Sequence, residues 1–249
     1  MDFALAAAAF APGLALGSFL NVVAARVPLK RSIVRPPSAC MSCEHEIRWY
    51  DNVPLLSYAL LRGRCRHCGT RIPLVYPAVE LLTALLIAGC VLAFGLSVEA
   101  LVAAFFCAVL VAVSAIDLEH RIIPNRIVVP AAGIVLAVNT VRDPSPEWLV
   151  AGLAGAGFLF IAALIYPAGM GMGDVKLALL MGVTLGRTVA VALMAGMLAA
   201  MAPSIVLFAL HGLKARKMKI PFGPFLAIGG VVALFWGDGL LDAYLSTLH

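Results

Sequence analysis

Residues 99–117 read EALVAAFFCAVLVAVSAID, an acidic residue at each end and no charge between them. As a helix rising 1.5 Å per residue this stretch reaches roughly 28 Å, close to the hydrocarbon thickness of a bilayer. Its ends therefore fall where water begins. Reading outward, further apolar runs of similar kind lie at 3–25, 77–95, 127–142, 148–166, 175–186, 188–210 and 224–245. The composition agrees: 63% of the 249 residues are hydrophobic, 12% are charged, and the mean hydropathy is +1.02. Soluble domains hold about 45–50% apolar and 25% charged residues. The sequence predicts an all-α polytopic membrane protein with about eight transmembrane helices. The segment 3–25 reads as a span and not as a removable leader, because it lacks a basic start and ends in Arg26 instead of a small-residue cleavage site.

The run 175–186 is short, about 18 Å as a helix. Joined to 188–210 it would be far too long for one crossing, and Gly182, Gly186 and Arg187 offer a place to turn. Two spans are therefore expected. Three segments follow: a first helix at 1–25, a polar loop at 26–76 large enough for a small extramembrane domain, and a helical core at 77–249. If the loop is cytoplasmic, eight spans also put 117–126, 167–174 and 211–221 inside. All 18 Lys and Arg then lie in those segments or at their helix ends, except Arg142 and Arg187. The cluster Lys214, Arg216, Lys217 and Lys219 is part of that set. Asp2, Glu99, Asp143, Glu147, Asp238 and Asp242 mark the outer ends. This is the positive-inside pattern, with both termini outside. It accounts for the net charge of +5 without a nucleic-acid partner.

The loop carries Cys40-x2-Cys43 and Cys65-x2-Cys68, separated by 21 residues. Paired knuckles at this spacing suit tetrahedral zinc bound by four thiolates. Disulfides rarely persist in the cytoplasm, and a loop of this size needs a staple to fold. Gly63 and Gly69 suit the turns around the second knuckle. The alternative is four free thiols or a redox pair. His45 and His67 are read as solvated, and Cys90 and Cys107, inside apolar runs, as small buried hydrophobes.

Acidic residues at the inner boundary are Glu80, Asp117, Glu119 and Asp174. Ionisable groups near hydrocarbon are costly and are functional candidates. Asp117 ends the third span, and Asp174 opens the sixth after Gly169, Gly171 and Gly173, with Lys176 two residues on. Two carboxylates at one depth can share a proton, so that one activates water while the other protonates a scissile carbonyl. The bland alternative is that each only caps a helix end. Glu80 is expected to pair with Arg71 or Lys176. Arg62, Arg64 and Arg66 read as contacts for anionic lipid, His120 and Arg121 as interfacial, Gly152, Gly155 and Gly157 as close helix contacts, and the methionines from 170 to 201 as helix packing.

Gly171-Met-Gly-Asp-Val-Lys176 resembles the GxGD signature of membrane aspartyl proteases. Gly17-Ser-Phe-Leu-Asn-Val-Val23, Arg26-Val-Pro28, Asn52-Val-Pro54, Leu61-Arg-Gly-Arg-Cys65, Tyr76-Pro-Ala-Val-Glu80, Asp117 with Ile123-Pro-Asn125, and Lys219 to Phe225 resemble, in order, motifs of the type IV prepilin peptidases. Asn125 stands where many members have Asp. The resemblance implies an endopeptidase with Asp117 and Asp174 as catalytic pair, and Gly171, Gly173 and Lys176 in support. Its substrates would be prepilins or pseudopilins, with short basic leaders, cut after a Gly at the cytoplasmic face of a bacterial inner membrane. The four-cysteine loop resembles that of members that also N-methylate the product with S-adenosylmethionine, for which Glu80 is a candidate contact. Rival readings are a GxGD protease acting on other substrates such as signal-peptide remnants, a proton-coupled transporter, and a non-catalytic scaffold of pilus or secretion machinery.

Overall fold

The computed structural model describes residues 2–166, 170–212 and 220–247. Gly169 and the basic cluster Lys214, Arg216, Lys217 and Lys219 lie outside the described residues. The chain forms α1 (Asp2–Arg26), α2 (Leu56–Leu60), α3 (Val75–Phe94), α4 (Val98–His120), α5 (Asn125–Arg142), α6 (Glu147–Ile165), α7 (Met172–Leu185), α8 (Val189–His211) and α9 (Gly223–Ser246). Among the described residues there is no β-strand, only isolated bridges at Ala39/Glu46 and Arg64/Arg71. Two compact units result, Met1–Ala115 and Ile116–His249, with the boundary inside α4.

Eight of these helices match the eight apolar runs to within a few residues. Among the described residues six stretches are long and apolar enough to cross a membrane, which makes this a multi-pass membrane protein. The difference from about eight spans has two sources. Helix α5 carries Asn125, Arg126, Asn139 and Arg142 and falls short of a span's apolarity. It packs along α7, through Val128, Ala131, Ala132 and Val135, and buried Asn139 donates through Nδ2 to the Val183 carbonyl at 2.9 Å. That bond satisfies one of the carbonyls left open at the end of α7. Helices α7 and α8 form one continuous apolar stretch, but it is broken at the 3₁₀ turn Gly186–Thr188, where Gly186 adopts φ +57°. Glu147 Oε1 accepts the Arg187 N–H at 3.0 Å, and a Cβ at Gly186 would sit 2.7 Å from that oxygen. Arg187 also pairs with Asp238 at 2.8 Å. The expected turn is therefore present, pinned by acidic residues at the same end of the unit.

Glycine sets the closest helix contacts, as small residues do in membranes. In the second unit a Cβ at Gly182 would strike the Ala151 carbonyl and Gly152 Cα, so α6 and α7 touch backbone to backbone. Gly229 brings α9 equally close to Ala192 and Gly196 of α8. Gly155 makes a similar contact with Val189 and Ala178, whereas Gly157 faces open space, contrary to expectation. Of the methionines read as packing, Met181 is fully buried but Met172, Met194 and Met201 are exposed on the helix surface.

In the first unit α1 lies along α3. A Cβ at Gly17 would be 2.6 Å from Glu80 Cα, and Asn21 Nδ2 donates to the Tyr76 carbonyl at 3.1 Å. The Gly17–Asn21 motif is thus a docking edge for α3. Leu20, Val79, Ala108, Val111 and Ala112 pack behind it, and Cys90 and Cys107 are buried with their sulfurs 3.9 Å apart. Gly17→Val is expected to force α1 off α3 and cost about 1–3 kcal/mol. Thermal unfolding in detergent measures it, and an unchanged midpoint would refute the contact.

Candidate functional site: two buried aspartates and a cysteine cluster

In the second unit one end gathers the start of α5, the start of α7 and the start of α9 around the last turn of α4. Asp117 lies in that turn, not at the helix end as expected, because α4 continues to His120 before Arg121 turns out at φ +55°. Asp117 is 5% exposed and accepts the Gly223 N–H through Oδ2 at 2.9 Å. A Cβ at Gly223 would sit 2.8 Å from that oxygen, so only glycine lets the backbone come this close. Asp174 is 8% exposed, in the first turn of α7, and accepts the Gly171 N–H through its own Oδ2 at 3.0 Å. The Asp174 N–H donates in turn to the Gly171 carbonyl at 3.1 Å. Both aspartates are therefore buried, each held through one oxygen by a glycine N–H. The carboxylate of Asp174 lies within Coulombic reach of Asp117.

The residues flanking the pair also converge. Gly173 lies against Ile123, where a Cβ would be 2.7 Å from the Ile123 Cβ. Lys176 Nζ donates to Asn125 Oδ1 at 2.9 Å, joining the first turns of α7 and α5. The sequence reading saw both partners but not the bond. Glu80, buried on α3 in the first unit, accepts the Leu55 N–H through Oε2 at 3.0 Å, and Leu55 adopts φ +58°. The carboxylate holds the loop containing Asn52–Pro54 in a conformation that a branched residue disfavours. Glu80→Ala would leave that N–H unpaired and cost about 1–3 kcal/mol, while Glu80→Gln keeps an acceptor and restores most of it. Limited proteolysis around 52–62 measures both; equal loop protection in the Ala variant would refute the role.

The four loop cysteines lie together, with all their sulfurs within 4.8 Å of one another. Cys40 and Cys68 are 3.7 Å apart, close to the roughly 3.8 Å edge of a tetrahedron with metal–sulfur bonds of about 2.3 Å. The two knuckles repeat one backbone pattern that the sequence reading did not detect. Cys40 N–H donates to His45 O at 2.9 Å and Glu44 N–H to Cys40 O at 2.9 Å, while Cys65 N–H donates to Thr70 O at 2.8 Å and Gly69 N–H to Cys65 O at 3.0 Å. Glu44 and Gly69 occupy the same position, at φ +55° and +71°. His45 and His67 are exposed and lie edge to face, 4.4 Å between ring centres.

Hydrogen bonding from the Thr70 hydroxyl and backbone holds the Cys68 thiol down at about 6. Cys43 is pushed up to about 12: the His45 N–H pulls it down, but desolvation and the Cys40, Cys68 and Cys65 sulfurs outweigh it. Four crowded sulfurs cannot all ionise without a cation among them, and a divalent metal ion fits that donor set. Beside them Arg66 grips Asp51 through both its Nε and terminal nitrogen, with 2.6 Å at the shortest, and holds that carboxyl below its ordinary value. Arg66 is thus engaged within the loop.

Residues 12–94 match a family model described as the bacterial peptidase A24 N-terminal domain, and residues 104–212 match the type IV leader peptidase family. A Bacillus subtilis (strain 168) protein named prepilin leader peptidase/N-methyltransferase is 36% identical over 94% of this chain and 95% of its own length. A protein of the same name from Xanthomonas campestris pv. campestris is 34% identical over 94% of this chain and 92% of its own. One from Myxococcus xanthus (strain DK1622) is 44% identical over 70% of this chain and 54% of its own. No solved structure matches the chain significantly. With that agreement along nearly the whole length, the chain belongs to the type IV leader peptidase family.

Proposed function

We propose that this chain is a membrane aspartyl endopeptidase that removes the leader from prepilins and pseudopilins and then N-methylates the new N-terminus. The observation that carries the peptidase half is the pair of buried aspartates, each steadied by a glycine N–H and within reach of the other's charge. One carboxylate, ionised, takes a proton from a water molecule, whose oxygen attacks the scissile carbonyl carbon. The other, protonated, gives its proton to the carbonyl oxygen. The tetrahedral diol then collapses, the C–N bond breaks, and the amine leaves with a proton from the pair. The glycine N–H donors lock each carboxylate's orientation without adding a side chain that would bar the substrate.

The relatives' printed names support the second activity, and S-adenosylmethionine would supply the methyl group. Glu80, engaged by the Leu55 backbone, is better read as a loop support than as a donor contact. Cys40, Cys43, Cys65 and Cys68 would hold a zinc ion that crosslinks the loop, a structural role. The distribution of Lys and Arg supports a cytoplasmic loop and a cytoplasmic site mouth in a bacterial inner membrane, with both termini outside. The relatives' names give no support to signal-peptide remnants as substrates.

The test is reconstitution of the purified chain in liposomes with a prepilin and labelled S-adenosylmethionine. A shortened product carrying one label is expected. Uncut prepilin overturns the peptidase reading, and a cut but unlabelled product overturns the methyltransferase reading alone.

A further inference from the structure

We propose that His120 is a substrate-positioning residue whose Nε2 hydrogen-bonds the main chain of an unwound substrate beside the aspartate pair. This rests on the peptidase reading above. His120 is the last residue of α4, three residues beyond Asp117, and residues at that spacing are neighbours on a helix surface. It was expected to sit in interfacial water. Instead its Nε2 is buried, and among the described residues it is the one buried side-chain nitrogen or oxygen without a hydrogen-bond partner. Buried polar groups are nearly always paired, so an orphan at a site asks for an explanation.

The chemistry of cleavage in a membrane supplies one. A helical substrate satisfies its own backbone. To expose a peptide bond to two carboxylates, a few residues must unwind, and their N–H and C=O groups lose their partners where water is scarce. The enzyme has to provide replacements, or the unwound form is too costly to populate. Such a replacement must be polar, held in place and uncommitted before substrate arrives. Three polar groups around the pair are already used: the Gly223 and Gly171 N–H groups by the aspartates, and Lys176 by Asn125. The imidazole Nε2 can donate or accept according to tautomer, so once substrate displaces what covers it, it serves either a carbonyl or an N–H of the opened segment.

The test is steady-state cleavage of a prepilin by the full chain in liposomes. His120→Leu is expected to lower kcat/KM by about 10- to 100-fold, the effect of leaving one buried hydrogen bond unmade. His120→Gln, which returns a polar group at the Nε2 position, is expected to recover to within about threefold of wild type. A semisynthetic substrate scanned with single main-chain esters adds the readout that a packing role would not move. One ester near the cut should slow the wild type and leave His120→Leu unaffected, because the bond it weakens is already absent. Wild-type rates for His120→Leu overturn the proposal. So does a Gln variant as slow as Leu at an unchanged melting temperature, or esters that slow both enzymes alike. A wild-type chain that leaves prepilin uncut overturns the peptidase reading and this assignment with it.

Discussion

Asn in place of Asp117 or Asp174 is expected to reduce prepilin cleavage by about 10²–10⁴-fold while leaving the fold intact. The substitution is chosen for what it preserves. The amide oxygen of Asn still accepts the Gly223 N–H at position 117, or the Gly171 N–H at 174, so the local backbone keeps its bond. What is lost is the ability to take or give a proton. Because the two carboxylates act on one water and one carbonyl, the double variant should be no slower than the worse single one. Methylation of a substrate supplied already cut should be unaffected, which separates loss of the pair from loss of the protein. The comparison is made by single-turnover cleavage with the melting temperature as control. Either variant cutting at more than about a tenth of the wild-type rate would remove the pair from the mechanism, since a lost general acid or base costs at least about 100-fold.

The second large effect concerns the cysteine loop. Serine at any one of Cys40, Cys43, Cys65 or Cys68 is expected to abolish the retained metal, and prolonged chelation of the wild type to do the same. Structural zinc contributes on the order of 10–16 kcal/mol in small zinc-folded peptides, far more than a loop of this size can lose and stay folded. The sequence itself provides the reporter, because Arg62, Arg64, Arg66 and Arg71 surround the second knuckle. Trypsin should spare them in the metal-loaded chain and cut there once the cluster opens. Metal analysis of protein purified without chelator should give about one zinc per chain. Metal-free protein with a protected loop would show that the knuckles fold unaided.

Much of the architecture was legible because lipid imposes it. A span must be long, apolar and helical, so eight runs of apolar residues marked eight helices, and Gly186 marked the turn between α7 and α8. The convergence of the four cysteines was legible for a similar reason, since paired two-residue knuckles leave few ways to bring four sulfurs together. Which face of a helix packs was not legible. In water, polarity labels the outer face; in lipid both faces are apolar, so nothing distinguished buried Met181 from exposed Met194, or Gly152 from Gly157. The polar contacts of the site were hidden for another reason. Glu80 to Leu55, Lys176 to Asn125 and Asp117 to Gly223 join residues 25, 51 and 106 positions apart, and no local pattern encodes such pairs. The doubled knuckle escaped notice because its likeness lies in backbone hydrogen bonds, with Glu44 doing at a cost of about 1–2 kcal/mol what Gly69 does freely.

The brevity of α7 has its own consequence for hydrolysis. Fourteen residues make a helix of about 21 Å, set in a slab whose oily interior is about 30 Å deep. Helices α5, α6 and α9 pack around α7, so protein and not lipid surrounds that shortfall. Asp174 stands in the first turn of the short helix, set in from the membrane surface by part of the missing length. The reaction consumes a water for every bond broken, and a helix that stops short leaves a recess through which that water would come from the aqueous side.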